Sequence, residues 1–431
     1  MTAALPALAA LLLAAEPPAT LTEFLESARA HNHTIGISRA QLEQQDAAVR
    51  QALASLTPTV QLTAGYTRYQ SNAVLTISGT GPGGSPKSIT IQPYDSLTGT
   101  AGVTVPILAL QNLYRYQGSK HGHEAAAQAE RASEAEVLLS TAQAYYQIVG
   151  SQGVLDAAQT AVRTAGDNLQ VTQTRLDAGS ETRLAVDRAR TDLARANQTL
   201  ASAQQTLALA VRNLETLSGR PVDQRLPALG EAETVTGTED DYVREAEERR
   251  PELAQARATI QQQEASVKEA WAGLVPSVSA NAQEHYTNAP GFIAKETYWT
   301  AGVNLTWILD PVGNPANIQH ARAAVDEQQQ RFLQQQDSVR DDVHSSWLSV
   351  EATRARLEEA VAEAKSTDEA LTITRVQYRE GTATSLEVSQ AQRDAFNAQA
   401  TLAQTRADLA AAVLSLRKAA GEPLLPDRGQ P

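Results

Sequence analysis

The side chains that could do chemistry are few and poorly placed for it. The chain has seven histidines and no cysteine, so thiolate metal sites and disulfides are excluded. Two His-x-His pairs, His31-Asn32-His33 and His121-Gly122-His123, come closest to ligand spacing. On one helix, residues i and i+2 point about 200° apart and cannot share an ion. Neither pair recurs in the other half of the chain, and no metal is expected. There is no nucleophile elbow, phosphate-cradling loop or paired carboxylate site. No catalytic residue and no cofactor is therefore assigned, and work must be powered by a partner. Three other positions stand out by placement. Gly179 and Gly381 interrupt very long helical stretches where the chain must reverse, and glycine adopts the left-handed turn at least cost. Glu387 lies six residues past Gly381.

Those positions belong to a duplicated framework. Arg39-Ala40-Gln41-Leu42-Glu43-Gln44-Gln45-Asp46-Ala47-Ala48-Val49-Arg50 reads against Arg257-Ala258-Thr259-Ile260-Gln261-Gln262-Gln263-Glu264-Ala265-Ser266-Val267-Lys268, an offset of 218. Leu56-Thr57-Pro58 and Leu274-Val275-Pro276 keep that offset. Thr100-Ala101-Gly102-Val103 then matches Thr300-Ala301-Gly302-Val303 at 200. Gly179 matches Gly381, and Gly219-Arg220-Pro221 matches Gly421-Glu422-Pro423, at 202. The drop from 218 to 200 places 18 extra residues in the first copy, between about Tyr66 and Thr100, where Gly79-Thr80-Gly81-Pro82-Gly83-Gly84-Ser85-Pro86 signals a loop.

Each copy reads helix, strand, loop, strand, very long helix, tight turn, long helix. Four segments alternate: Val60, Leu62, Ala64 and Tyr66; Leu97, Ala101, Val103 and Val105; Val278, Ala280 and Ala282; Trp299, Ala301, Val303, Leu305 and Trp307. All oppose Thr, Gln, Asn, Ser or Gly. Period-2 alternation over about ten residues suits a transmembrane β-strand with a lipid face and a water face. Tyr66, Tyr69, Tyr94, Tyr286, Phe292, Tyr298, Trp299 and Trp307 cluster here, as rings at a membrane interface do. Residues 111–178 would run about 100 Å as one helix. Leu193, Leu200, Leu207 and Leu214, with Ala196, Ala203 and Ala210, mark a close-packing coiled-coil seam.

The sequence resembles the TolC family of outer-membrane efflux proteins over nearly its whole length. Tyr378-Arg379-Glu380-Gly381-Thr382 with Leu386-Glu387-Val388 is similar to that family's tip motif, and Arg175-Leu176-Asp177-Ala178-Gly179-Ser180 is the first-repeat counterpart. The resemblance implies a homotrimer in the outer membrane, bound to a periplasmic adaptor and an inner-membrane pump. Its adaptor-contact tips would be Leu176, Gly179, Ser180, Tyr378, Gly381 and Thr382. Its periplasmic aperture would lie at Glu387 and Gln390. Gln390 replaces a second acid of the family pattern, Ala383 an arginine, and Ala185 stands where an acid is expected, so the gate is less charged.

The fold class is thus mainly α with a membrane β-barrel contribution: a duplicated helix-strand-strand-long-hairpin unit, trimerising into a twelve-stranded barrel continued by a periplasmic α-helical barrel. Four strands cannot close a barrel, and open edges in lipid are prohibitive. Membrane-interface aromatics are Tyr66, Tyr69, Trp299 and Trp307. Residues 1–15, with the apolar run Ala3 to Ala15, are read as a signal peptide lacking a basic n-region; 16–230 and 231–431 are the two repeats, forming one intertwined domain. A net charge of −13 argues against nucleic acid, and only 4% aromatics with one Met argue against a compact globule. The alternative class is a structural coiled-coil scaffold or membrane-shaping protein.

Overall fold

The computed structural model describes residues 20–77, 87–222, 225–227, 235–290 and 295–425. The apolar leader, the Gly/Pro-rich stretch 79–86 and Phe292 lie outside these. The described elements run α1 (Leu21–His31), α2 (His33–Ala54), β1 (Thr59–Arg68), β2 (Ala73–Ile77), β3 (Lys87–Gln92), β4 (Asp95–Leu108), α3 (Leu110–Asp177), α4 (Arg183–Ser218), α5 (Glu239–Arg249), α6 (Pro251–Ala272), β5 (Ser277–Thr287), β6 (Thr297–Thr306), α7 (Gly313–Glu380) and α8 (Ser385–Ala419). Two compact units result, Met1–Ser38 with Glu130–Pro251 and Gln336–Pro431, and Arg39–Ala129 with Glu252–Gln335. Each draws on both repeats.

The second unit carries an antiparallel sheet in the order β1-β4-β5-β6. Its register gathers the alternating residues onto shared rows. Val60 pairs with Val103, Val103 with Ala282 and Ala282 with Ala301. The next row is Thr59, Thr104, Asn281 and Gly302. One face is therefore apolar and the other hydroxyl- and amide-rich. Glu284, paired with Ala101 and Trp299, is an acid on the apolar face. A one-residue slip would invert every side chain, so the pattern itself enforces the register. The extra residues of the first copy form a second sheet, the β2–β3 hairpin, in place of the expected irregular loop. Leu75, Ile77, Ile89 and Ile91 alternate with Val74, Thr76, Ser88 and Thr90, a strand pattern beside the Gly/Pro signal.

The first unit is helical. Asn32 (ψ 130°) and Arg250 (ψ 125°) leave helical geometry, so the first helix of each repeat is two helices. These breaks are 218 residues apart and therefore equivalent. Each takes the C-terminal glycine of its own repeat's last helix. Gly219 has φ +67° and would place a Cβ 3.0 Å from the His31 Cβ; Gly421 has φ +80° and would meet the Arg249 Cβ at 3.0 Å. Ser27 Oγ donates to the Ser218 carbonyl (2.8 Å) and Asn32 Nδ2 to that of Leu217 (2.9 Å), satisfying helix-end acceptors. Phe24, Tyr145, Ile148, Leu214 and Leu226 form a buried side-chain cluster at this joint. Burial pushes the Tyr145 phenol up to about 12. On α4 the seam faces inward, with Ala203, Ala210 and Leu214 buried.

Helix α3 holds five glycines, and two of them have a packing role. Gly150 and Gly153 lie against Ala407 and Ala403 of α8, so close that added Cβ atoms would sit 3.0 and 2.6 Å from those methyls. Each glycine weakens the helix locally but permits a helix contact that no side chain could fit.

Candidate functional site

Both hairpin tips are built the same way. Gly179 (φ +73°) and Gly381 (φ +83°) have no atoms within 4 Å of a would-be Cβ, so their requirement is conformational alone. Ser180 N–H donates to the Arg175 carbonyl and Gly179 N–H to that of Leu176, both at 2.9 Å. Thr382 N–H to Gln377 (2.9 Å) and Gly381 N–H to Tyr378 (3.1 Å) repeat the arrangement. This is the Schellman closure, which satisfies the last carbonyls of a helix.

The chain then enters the return helices through N-caps. Thr384 caps α8: its hydroxyl accepts from Glu387 N–H (3.3 Å), and the Glu387 carboxylate accepts from Thr384 N–H (2.7 Å) and Oγ1 (2.9 Å). Those bonds, the backbone one foremost, hold the exposed Glu387 carboxyl below its ordinary range. Thr182 caps α4 by accepting from Ala185 N–H (3.2 Å). Position 185 matches 387 and carries no carboxylate, so Glu181 Oε2 accepts from Thr182 N–H instead, at 3.0 Å. Glu181 in turn matches Ala383. The acid has moved one turn between the repeats.

That shift joins the two tips. Tyr378 is 3% exposed. Its hydroxyl lies 3.0 Å from Glu181 Oε1 and 3.0 Å from Thr172 Oγ1. A carboxylate only accepts, so the phenol donates to Glu181, and Thr172 Oγ1 donates either to the phenol oxygen or to the Asn168 carbonyl at 2.8 Å. The Arg175 guanidinium lies 4.5 Å over the Tyr378 ring and donates to the Arg379 carbonyl. Burial first, and the Glu181 charge beside it, push the phenol up; the Thr172 bond opposes them. Of the six tip residues singled out from sequence, Gly179, Ser180, Gly381 and Thr382 are exposed, Leu176 is half-buried, and Tyr378 is interior. Thr172, Arg175 and Glu181 were not singled out. The absent acid at 185 was the signal for Glu181, because it left the Thr182 N–H to be satisfied from elsewhere; Thr172 and Arg175 carried none. Glu387 and Gln390 are exposed one turn apart on α8.

In the sheet unit, Tyr66, Tyr69, Trp299 and Trp307 are 63%, 38%, 74% and 56% exposed. Tyr66 donates to Asp95 Oδ1 (2.7 Å) and Trp307 Nε1 to the Leu274 carbonyl (3.1 Å). Val60, Leu62, Val303 and Leu305 are 64–76% exposed on the same face. His31 and His33 flank the α1–α2 break and do not share the single helix assumed for them; His31 Nδ1 lies 3.1 Å from the Ser27 carbonyl oxygen. Among the described residues no helix is long and apolar enough to cross a membrane.

The profile of a family described as outer membrane efflux protein matches residues 24–220 and 242–422, one segment in each repeat. The pyoverdine export outer membrane protein OpmQ of Pseudomonas aeruginosa is 24% identical over 419 residues, covering 93% of this chain and 85% of that protein. The outer membrane protein TolC of Vibrio cholerae is 25% identical over 421 residues, covering 93% and 90%. The crystal structure of the outer membrane protein VceC of Vibrio cholerae superposes with a TM-score of 0.77 at 20% identity, covering 93% of this chain and 96% of that one.

Proposed function

The chain belongs to the outer membrane efflux protein family and is an exit duct in the outer membrane, a channel and not an enzyme, and we propose that it works as a homotrimer docked to a periplasmic adaptor and an inner-membrane pump. The observation that carries the trimer is the sheet. β1 and β6 are both edges, and each leaves a row of backbone donors and acceptors unpaired. In hydrocarbon every such group costs several kcal/mol. Pairing β1 of one copy with β6 of the next removes all edges, and three copies give twelve strands around one pore. The apolar rows then face lipid and the hydroxyl-rich rows face the lumen.

The exposed tip residues Gly179, Ser180, Gly381 and Thr382, with the half-buried Leu176 beside them, are offered to the adaptor. Tyr378 acts from within, tying one tip to the other. Glu387 and Gln390 line the periplasmic aperture. Cargo is selected by the pump; relatives are named for export of pyoverdine and for efflux of toluene or antibiotics. The purified protein, reconstituted in planar bilayers, should conduct ions and migrate as a heat-modifiable oligomer. A non-conducting rod that stays soluble without detergent supports a coiled-coil scaffold and refutes the duct.

A further inference from the structure

Where β6 passes into α7 the chain bares a run of large apolar side chains. Trp307, Ile308, Leu309 and Val312 are 56%, 70%, 64% and 78% exposed. The equivalent junction of β4 with α3 bares Ile107 at 61%. This run is held in place: Asp310 Oδ1 accepts from the N–H groups of Val312 (3.1 Å) and Gly313 (2.8 Å), and Trp307 is pinned through its indole N–H to Leu274. Contiguous exposed apolar surface of this kind marks an interaction site.

Its position identifies the partner. Trp299 and Trp307 bracket β6 on the apolar face. Eight residues at about 3.4 Å, tilted by about 40°, span roughly 21 Å along the membrane normal, close to the ~25 Å apolar band that aromatic girdles flank. Trp307 therefore marks the periplasmic boundary of that band. Polar side chains are expected below it, yet Ile308, Leu309 and Val312 follow. Trp271, also exposed, carries the Arg322 guanidinium 5.5 Å over its ring. An exposed guanidinium held over an indole suits a phospholipid, its phosphate against Arg322 and its acyl chain along the apolar run.

We propose that this collar is an interfacial anchor seated in the phospholipid of the periplasmic leaflet, with Ile308, Leu309 and Val312 against the upper acyl chains and Arg322 at the phosphates. It rests on the reading that the apolar face of the sheet meets lipid, with which it is continuous through Val303 and Leu305. The sequence holds no cysteine, so a single introduced thiol reports one position. Leu309→Cys and Val312→Cys, with Val303→Cys as the reference, are labelled with a bimane fluorophore and reconstituted in phosphatidylethanolamine–phosphatidylglycerol vesicles carrying spin-labelled lipid. The collar positions should be quenched most by a spin label near the headgroup end of the acyl chain, and Val303 most by one near the methyl end. Quenching of the collar only by aqueous iodide overturns the proposal, as does shielding from both lipid and water, which would mean a second copy covers it. If Val303 too escapes every lipid label, the lipid-face reading itself fails and takes the collar with it.

Discussion

Replacing Tyr378 with Phe removes one oxygen from the contact that joins the tips and leaves the buried ring and its Arg175 stack in place. What is lost is the bond to the Glu181 carboxylate and the approach of Thr172. A hydrogen bond to a charged group contributes about 1.5–3 kcal/mol. Two facts reduce that here: Glu181 is half-exposed and regains water, and Thr172 keeps the Asn168 carbonyl. The remainder is about 1–2 kcal/mol, roughly a 5–30-fold shift between joined and separated tips. In planar bilayers the Tyr378→Phe channel should spend correspondingly more time in its higher-conductance states. Glu181→Gln should shift it less, because an amide oxygen still accepts. Tyr378→Phe with Glu181→Ala should add little to Tyr378→Phe alone, since both remove one contact. Strictly additive effects, or an unchanged open probability in Tyr378→Phe, would refute the idea that this contact holds the tips.

Other outcomes follow from named groups. In the proposed trimer three Glu387 carboxylates would surround the axis and focus cations, so Glu387→Ala should lower cation preference in single-channel recordings; unchanged selectivity removes Glu387 from the aperture. Because the folded Glu387 carboxyl titrates below its ordinary value of 4.5, its capping contribution is present above that pH and lost as pH falls through the folded value. Hydrogen-exchange protection at the start of α8, taken against the intrinsic rate at each pH, should fall with acid in the wild type and be less pH-dependent in Glu387→Gln. Gly153→Ala forces a methyl to 2.6 Å from the Ala403 Cβ. Overpacking of about 1–3 kcal/mol exceeds the ~1 kcal/mol helix gain, so its denaturation midpoint should fall, and Ala403→Gly should restore it in part. Protease added to intact cells should cut within residues 71–96 and leave export working; cleavage only after the outer membrane is permeabilised would place that segment on the wrong side.

Much of this architecture is legible in the sequence because it is periodic. The rows through Val60, Val103, Ala282 and Ala301 follow from alternation, since a period of two admits one facing. The tips are legible at Gly179 and Gly381 because helices so long have few other places to reverse. Legibility ends where a contact depends on packing. Pro251 announces the α5–α6 break, but nothing at Asn32 announces its twin, which exists because the end of α4 packs there. Tyr378 looks like a surface aromatic at a tip until the neighbouring hairpin covers it. Glu181 acquires its role through the missing carboxylate at Ala185, a relation between two hairpins that no local pattern carries. The β2–β3 hairpin was obscured by the Gly/Pro run between its strands.

The central claim is that one chain supplies four strands of a shared barrel. Mass measured in detergent, corrected for bound detergent, tests it most directly. The account predicts three mature chains per particle, a little under the 138 kDa that three full 46.0 kDa sequences would give, falling to the monomer only on heating. A stable 46 kDa species that binds no detergent would contradict it.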